Sequence, residues 1–128
     1  MKLKRMKYVY MNSRDKISLE YILEHYQEIT KLIYKLSFED FCNNKPIQKT
    51  ILFDVAQIGE NINKLNEEIR TKINKIDIKG VVEFRNRLVH GYGDIDYRIV
   101  WNAIEGSLPN LIKQIKDILT SEKSIIEI

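Results

Sequence analysis

The chain has 128 residues, of which 44% are hydrophobic and 30% charged, and this composition is typical of one folded domain and excludes a disordered chain. The formal net charge of +3 is compatible with a nucleic-acid partner but does not require one. No apolar run is long enough to span a membrane, and no signal-peptide pattern follows the basic start. A single cysteine, Cys42, excludes an internal disulfide and a cysteine-based metal site and indicates a cytoplasmic protein.

We predict an N-terminal arm over residues 1–12 and one helical domain over residues 13–128. Only two prolines and five glycines occur, and apolar residues recur at steps of three and four, which is the pattern of helices. The short run Tyr8–Tyr10 has β character but no partner strand. Four or five helices joined by short loops predict an all-α, antiparallel bundle.

The first long helix is predicted to begin after Asn12 or Ser13, either of which could cap it. Ser37 is expected to cap a short helical turn that ends at Cys42. The stripe that the first helix turns toward the core is predicted to consist of Ile17, Leu19, Tyr21, Ile22, His25, Ile29, Leu32, Ile33 and Leu36.

The second helix is predicted from Pro46 to about Leu65, with a break or restart at residues 66–68. Gly59 lies inside it, at a cost of about 1 kcal/mol relative to alanine, and such a glycine indicates a close crossing with another helix. The third helix is predicted from about Asp77 to Gly91, which would supply a left-handed cap.

The last helical region is expected after Asp94 or Asp96. It is interrupted near Gly106, and Pro109 then implies either a kink or a new helix that Ser107 caps. The tail from Ser121 onward is expected to fray.

Two histidines are the natural acid–base candidates, since imidazole changes charge near neutral pH. His25 lies within the first helix and is interpreted as a boundary or surface residue. His90 lies in the last turn of the third helix, where the helix C-terminus favours a cation. Asn86 precedes His90 by four residues and shares its helix face, and Arg85 and Arg87 stand nearby. A solvated helix end is the alternative interpretation of this segment.

The segment Arg85–Tyr92 resembles the Arg-x-x-x-x-His signature of HEPN domains, extended to Arg-x-x-x-x-His-x-Tyr as in the HepT-type toxins. Further matches to that family cover about residues 13–120; they are Arg14-Asp15, Ile58-Gly59-Glu60, Asp94-Ile95-Asp96, Trp101 and Leu108-Pro109. The charged arm before Asn12 is a departure from the family pattern.

The resemblance implies metal-independent RNA cleavage without a cofactor, by a toxin of a type VII-like toxin–antitoxin pair. RNA supplies its own nucleophile, the 2′-OH. His90 suits the proton transfers and Arg85 the charge of the phosphorane-like transition state, while Asn86 would orient the phosphate or His90. One histidine per chain is few for two proton transfers, so we predict a homodimer that places two His90 and two Arg85 along one cleft.

Three roles stay open at this point. Arg87 either contacts RNA at the rim of that cleft or is a plain surface charge. Tyr92 either packs beside the helix end or, as the resemblance implies, is adenylylated by a partner nucleotidyltransferase that acts as antitoxin. Glu60 either approaches the site or is a solvent-facing or core-bridging carboxylate. The competing functions are a non-catalytic module that binds a nucleotide or docks on the nucleotidyltransferase, and a purely structural helical dimer.

Overall fold

The computed structural model describes residues 11–91, 93 and 95–126; the side chains of Val89 and of residues 122–126 are outside that description. Regular structure in these ranges is helical, without a strand, which confirms the predicted all-α fold. We number the helices as α1 (Ser13–Ile33), α2 (Phe38–Cys42), α3 (Lys45–Lys64), α4 (Glu67–Arg70), α5 (Lys75–His90), α6 (Tyr97–Glu105) and α7 (Ser107–Ile126). None of these described helices is both long and apolar enough to cross a membrane.

Most helices begin at a side chain that accepts a hydrogen bond from the first turn. Asn12, Ser37 and Asp96 cap α1, α2 and α6, as the sequence indicated. Asn74 caps α5, which therefore begins two residues before the predicted Asp77. The alternative cap Asp94 and residues 1–10 of the predicted arm lie outside the described residues.

Helix α3 is the centre of the bundle and packs against α1 on one side and α5 on the other. Asp15 accepts a hydrogen bond from the backbone N–H of Asn66, and His25 pairs with Asp54, so α1 and α3 run antiparallel. The core between the helices is aliphatic with one aromatic cluster. Its fully buried large side chains are Phe41, Leu19, Ile22, Ile29, Ile51, Leu52, Ile58, Ile62, Leu108, Leu111 and Ile115.

The predicted core stripe of α1 is wrong at two positions. Ile17 is 50% exposed and Tyr21 is 48% exposed. Helix α1 turns Leu19, Ile22 and Ile29 toward its neighbours. Ile17 and Tyr21 lie outside that buried face of the helix. The apolar pattern was broader than the surface that α1 buries.

The C-terminal third differs from expectation at two points. Helix α7 begins at Ser107 itself, so Ser107 is not the predicted cap. Pro109 lies in the first turn of α7, where the backbone N–H has no intrahelical partner and its loss costs little. The helix continues to Ile126, and the fraying expected from Ser121 stays a prediction. Gly91 ends α5 with φ 135° and ψ 152°, a positive φ that suits glycine but not the left-handed helical cap that was predicted.

Candidate active site

The middle of α5 lies directly against α3 at Gly59. A Cβ atom added to Gly59 would come within 2.9 Å of the Val81 carbonyl oxygen and 3.0 Å of the Arg85 Cβ. No side chain fits in that space unless the helices move apart. The close crossing predicted at Gly59 is confirmed, and it sets how near the residues after Gly59 lie to Arg85.

Glu60 and Asn86 hold the guanidinium of Arg85 at two points. Glu60 Oε2 lies 2.7 Å from Arg85 Nη2, and Arg85 Nη1 donates a 3.0 Å hydrogen bond to Asn86 Oδ1. The side chains of Arg85 and Glu60 are 33% and 36% exposed. The guanidinium is therefore held at two points, while the Arg85 side chain stays partly exposed to solvent.

His90 is the last residue of α5, and its side chain is exposed. It makes no hydrogen bond or ion pair with another described residue. Asn86 stands one helical turn before it on the same face, and Arg85 reaches toward Asn86. From Arg85 to His90 the helix rises by about 7.5 Å, which is the length scale of one nucleotide. The structure thus brings a held cation and an exposed imidazole to one end of α5.

Arg87 lies on another side of α5, since two residues rotate the helix direction by about 200°. It lines a groove of about 450 Å³ between α5, α6 and α7. Phe84 and Ile99 form part of the walls of this groove, and Glu83 lies on its α5 side. Arg87 is therefore not part of the cluster around Arg85.

Helix α5 is anchored at its start by α7. The side chain of Gln114 accepts a hydrogen bond from the Asn74 backbone N–H at 2.6 Å and donates one to Asp77 at 2.9 Å. Together with the contact at Gly59, these two hydrogen bonds fix the position and the rotation of α5. The direction in which Arg85 and Asn86 point follows from that fixed rotation.

Two further predictions concern the modification site Tyr92 and metal binding. Tyr92, the predicted modification site, lies outside the described residues. Among the residues that are described, no group of three or more His, Cys, Asp or Glu side chains could hold a metal ion.

His25 has a partner that sequence reasoning missed. Its Nδ1 lies 2.9 Å from Oδ1 of Asp54, a side chain that is only 1% exposed, while His25 itself is 21% exposed. Burial raises the pKa of Asp54, the His25 contact opposes this shift, and the nearby Glu28 carboxylate adds to it. The other oxygen of Asp54, Oδ2, is buried without a hydrogen-bond partner among the described residues. The boundary position of His25 is as interpreted.

The missed signal for Asp54 was local. This carboxylate stands between apolar neighbours in the run Ile51–Val55, on the side of α3 that the helical period turns inward. An acidic residue at such a position requires a partner. That partner is 29 residues away along the chain, and only the packing of α1 on α3 identifies it.

Comparison with known proteins gives one family. The family model described as "Ribonuclease HepT-like" matches residues 22–118, about three quarters of the chain, including α3, α5 and the whole Arg85–Tyr92 segment. No solved structure matches the chain significantly.

Several curated proteins are similar over most of their length. A provisionally named RNase from Caldanaerobacter subterraneus subsp. tengcongensis is 34% identical over 105 residues, which cover 82% of this chain and 94% of the relative. A provisionally named RNase from Methanocaldococcus jannaschii is 32% identical over 98 residues, which cover 77% of this chain and 81% of the relative. A protein named as a probable ribonuclease HepT from Thermococcus cleftensis is 26% identical over 101 residues, covering 79% and 92%.

Proposed function

The chain belongs to the HepT-like ribonuclease family, and on that basis we propose that it is a metal-independent endoribonuclease that works as the toxin of a toxin–antitoxin pair in the cytoplasm. The observation that carries the proposal is the cluster at the end of α5. Arg85 is held by Glu60 and Asn86 with part of its surface open, and His90 is exposed one turn beyond Asn86.

The reaction needs three contributions. The 2′-OH loses its proton and its oxygen attacks the adjacent phosphorus; the bond from phosphorus to the 5′ oxygen then breaks, and that oxygen gains a proton. The products are a 2′,3′-cyclic phosphate and a 5′-hydroxyl. Arg85 stabilises the charge on the phosphorane-like transition state through its free N–H groups. His90 carries out proton transfer, and Asn86 keeps Arg85 on the side of α5 that bears His90.

The proposal includes a homodimer in which two copies of Arg85 and His90 share one cleft. Helix α5 supports it, because its own chain covers it incompletely. Val81 is its one buried hydrophobic side chain among those described, and Phe84 and Leu88 are only partly buried. Light scattering of the purified chain measures this directly, and a monomer at micromolar concentration would contradict it.

Control of the toxin is proposed to act at Tyr92. A partner nucleotidyltransferase would transfer an adenylyl group to its hydroxyl, two residues after His90. This modification adds bulk and a negative charge beside the site, and both oppose the approach of an RNA phosphate.

The direct test incubates the purified full chain with RNA in the presence of EDTA. We expect cleavage with 2′,3′-cyclic phosphate ends, and a loss of at least about 100-fold in rate for His90→Ala and for Arg85→Ala. Equal rates for wild type and His90→Ala would remove His90 from the mechanism. Tight binding of the nucleotidyltransferase without cleavage of any RNA would favour the non-catalytic docking module instead.

A further inference from the structure

We propose that Glu60 is the general base of the cleavage reaction and that His90 is its general acid. This inference rests on the proposed ribonuclease function. It follows from the 2.7 Å contact between Glu60 Oε2 and Arg85 Nη2, which places a carboxylate directly beside the group that binds the phosphate. A second histidine is then not needed for the second proton transfer.

The position of Glu60 suits a base better than a purely structural partner. Its side chain is 36% exposed, so a ribose can approach the Glu60 side chain while Oε2 contacts Arg85. Glu60 and the phosphate would both contact the guanidinium of Arg85, whose positive charge offsets the repulsion between the two anions. A carboxylate held next to the phosphate-binding cation is also next to the 2′-OH, because this hydroxyl is on the carbon adjacent to the 3′ phosphate oxygen.

The other described carboxylates near these helices are not suitable. Asp54 is buried and engaged by His25, and Asp77, at the start of α5, accepts a hydrogen bond from Gln114. Glu83 lies on the groove side of α5 with Arg87, pairs with Lys79 at 3.9 Å, and does not contact Arg85. Glu60 is therefore the one described carboxylate that the structure joins to the Arg85 cluster.

The proton balance of the step is complete. Glu60 removes the proton of the 2′-OH as this oxygen forms its bond to phosphorus. His90, in its protonated form, gives a proton to the 5′ oxygen as the bond from phosphorus to that oxygen breaks. Glu60 ends protonated and His90 ends neutral, and exchange with water restores both. Arg85 transfers no proton, since its guanidinium stays charged throughout.

The test uses Glu60→Gln and two substrates. Glutamine keeps an oxygen that can accept the hydrogen bond from Arg85 but cannot take a proton. The first substrate is RNA. The second is uridine 3′-(4-nitrophenyl phosphate), whose leaving group departs without a proton and so needs a base but no acid. Glu83→Gln, an exposed carboxylate on α5, is the matched control.

We expect Glu60→Gln to lower the rate on both substrates by about 100-fold or more, since general base catalysis contributes on that scale. His90→Ala should lose RNA cleavage but keep most of its activity on the nitrophenyl ester, and Glu83→Gln should resemble wild type. The affinity of Glu60→Gln for 2′-O-methyl RNA, which cannot be cleaved, should be unchanged or higher because a negative charge is removed.

Three results would overturn the assignment. Wild-type rates for Glu60→Gln on RNA and on the ester would show that Glu60 takes no proton. A fall in affinity for 2′-O-methyl RNA as large as the fall in rate would show that Glu60 only positions Arg85. Loss of both activities in His90→Ala, with neither lost in Glu60→Gln, would make His90 the base. If the wild-type chain cleaves neither substrate, the ribonuclease proposal itself fails together with this one.

Discussion

Gly59 and Arg85 lie so close that a Cβ on the glycine would be 3.0 Å from the Cβ of the arginine. This contact connects the packing of the bundle to the chemistry of the site. Because α3 and α5 meet at Gly59, the next side chain along α3, Glu60, reaches the guanidinium of Arg85 at 2.7 Å. The separation of the two helices thus determines whether Glu60 can hold the guanidinium of Arg85 in place.

Gly59→Ala should therefore damage both stability and activity. The added methyl group would lie 2.9 Å from the Val81 carbonyl oxygen, and backbone cannot move aside as a flexible side chain can. We expect a loss of about 1–3 kcal/mol in unfolding free energy, typical of overpacking, and slower RNA cleavage. Urea unfolding and the cleavage rate measure the two effects.

Gly80→Ala is the control for this experiment. Gly80 is also inside a helix, but a Cβ there meets nothing within 4 Å. This variant should be more stable by up to about 1 kcal/mol, since alanine is the better helix former. If Gly59→Ala were also more stable than wild type, helix propensity would outweigh the contact between α3 and α5, and the overpacking argument would fail.

The buried pair of His25 and Asp54 predicts a pH-dependent contribution to stability. Burial raises the pKa of Asp54 above the ordinary value of 3.8, so the folded chain binds this proton more tightly than the unfolded chain. The stabilisation is complete below pH 3.8 and is lost as the pH rises through the folded-state pKa. The unfolding free energy of wild type minus that of Asp54→Asn should accordingly decrease from pH 4 to pH 7. A difference that stays constant over this range would contradict the raised pKa.

The same pair predicts that the two substitutions are not additive. His25→Ala leaves the carboxylate of Asp54 buried without its partner, and we expect this to cost about 2 kcal/mol at pH 7. In the Asp54→Asn background there is no buried charge to compensate, so the same change should cost less. A double-mutant cycle from urea unfolding measures the coupling, and equal costs in both backgrounds would mean that the 2.9 Å contact contributes nothing to stability.

The sequence predicted the helices well because their ends carry local signals. Asn12, Ser37 and Asp96 are small polar residues before apolar periodic segments, and each caps the helix that follows it. The cluster around Arg85 was only partly predictable. Arg85, Asn86 and His90 lie within six residues, and their spacing is visible in the chain itself. The contact with Glu60 depends on how α3 crosses α5, which the glycine at position 59 indicated but did not specify.

Arg85 and Arg87 are predicted to have separate effects on RNA. They point to different sides of α5, and only Arg85 is bound by Glu60 and Asn86. Arg85→Ala should lower the rate by at least about 100-fold. Arg87→Ala should leave the cleavage rate unchanged and weaken the binding of RNA. The slope of log affinity against log salt concentration should become shallower by about 0.7, which is the value for one lost phosphate contact on a single strand.

Binding to 2′-O-methyl RNA at several salt concentrations separates these roles. Lys113→Ala, which removes an exposed cation from α7, is the control for a general change in charge. If Arg87→Ala and Lys113→Ala behave alike, Arg87 is a plain surface charge in the groove beside Phe84 and Ile99. If Arg87→Ala slows cleavage as strongly as Arg85→Ala, the two guanidinium groups act on one phosphate, and α5 would have to contribute them from two copies of the chain.

Under the proposed toxin–antitoxin function, Tyr92→Phe should make the chain insensitive to the partner nucleotidyltransferase. The substitution removes only the hydroxyl that would accept the adenylyl group, so the variant should cleave RNA at the wild-type rate. With the partner nucleotidyltransferase, ATP and Mg²⁺ present, wild type should gain mass in adenylyl increments and lose activity, whereas Tyr92→Phe should do neither. Tyr34→Phe is the control, because Tyr34 is 74% exposed and would report labelling of any accessible tyrosine. Inhibition of Tyr92→Phe by the partner without a mass change would mean that the antitoxin acts by covering the site around Arg85 and His90 rather than by modifying it.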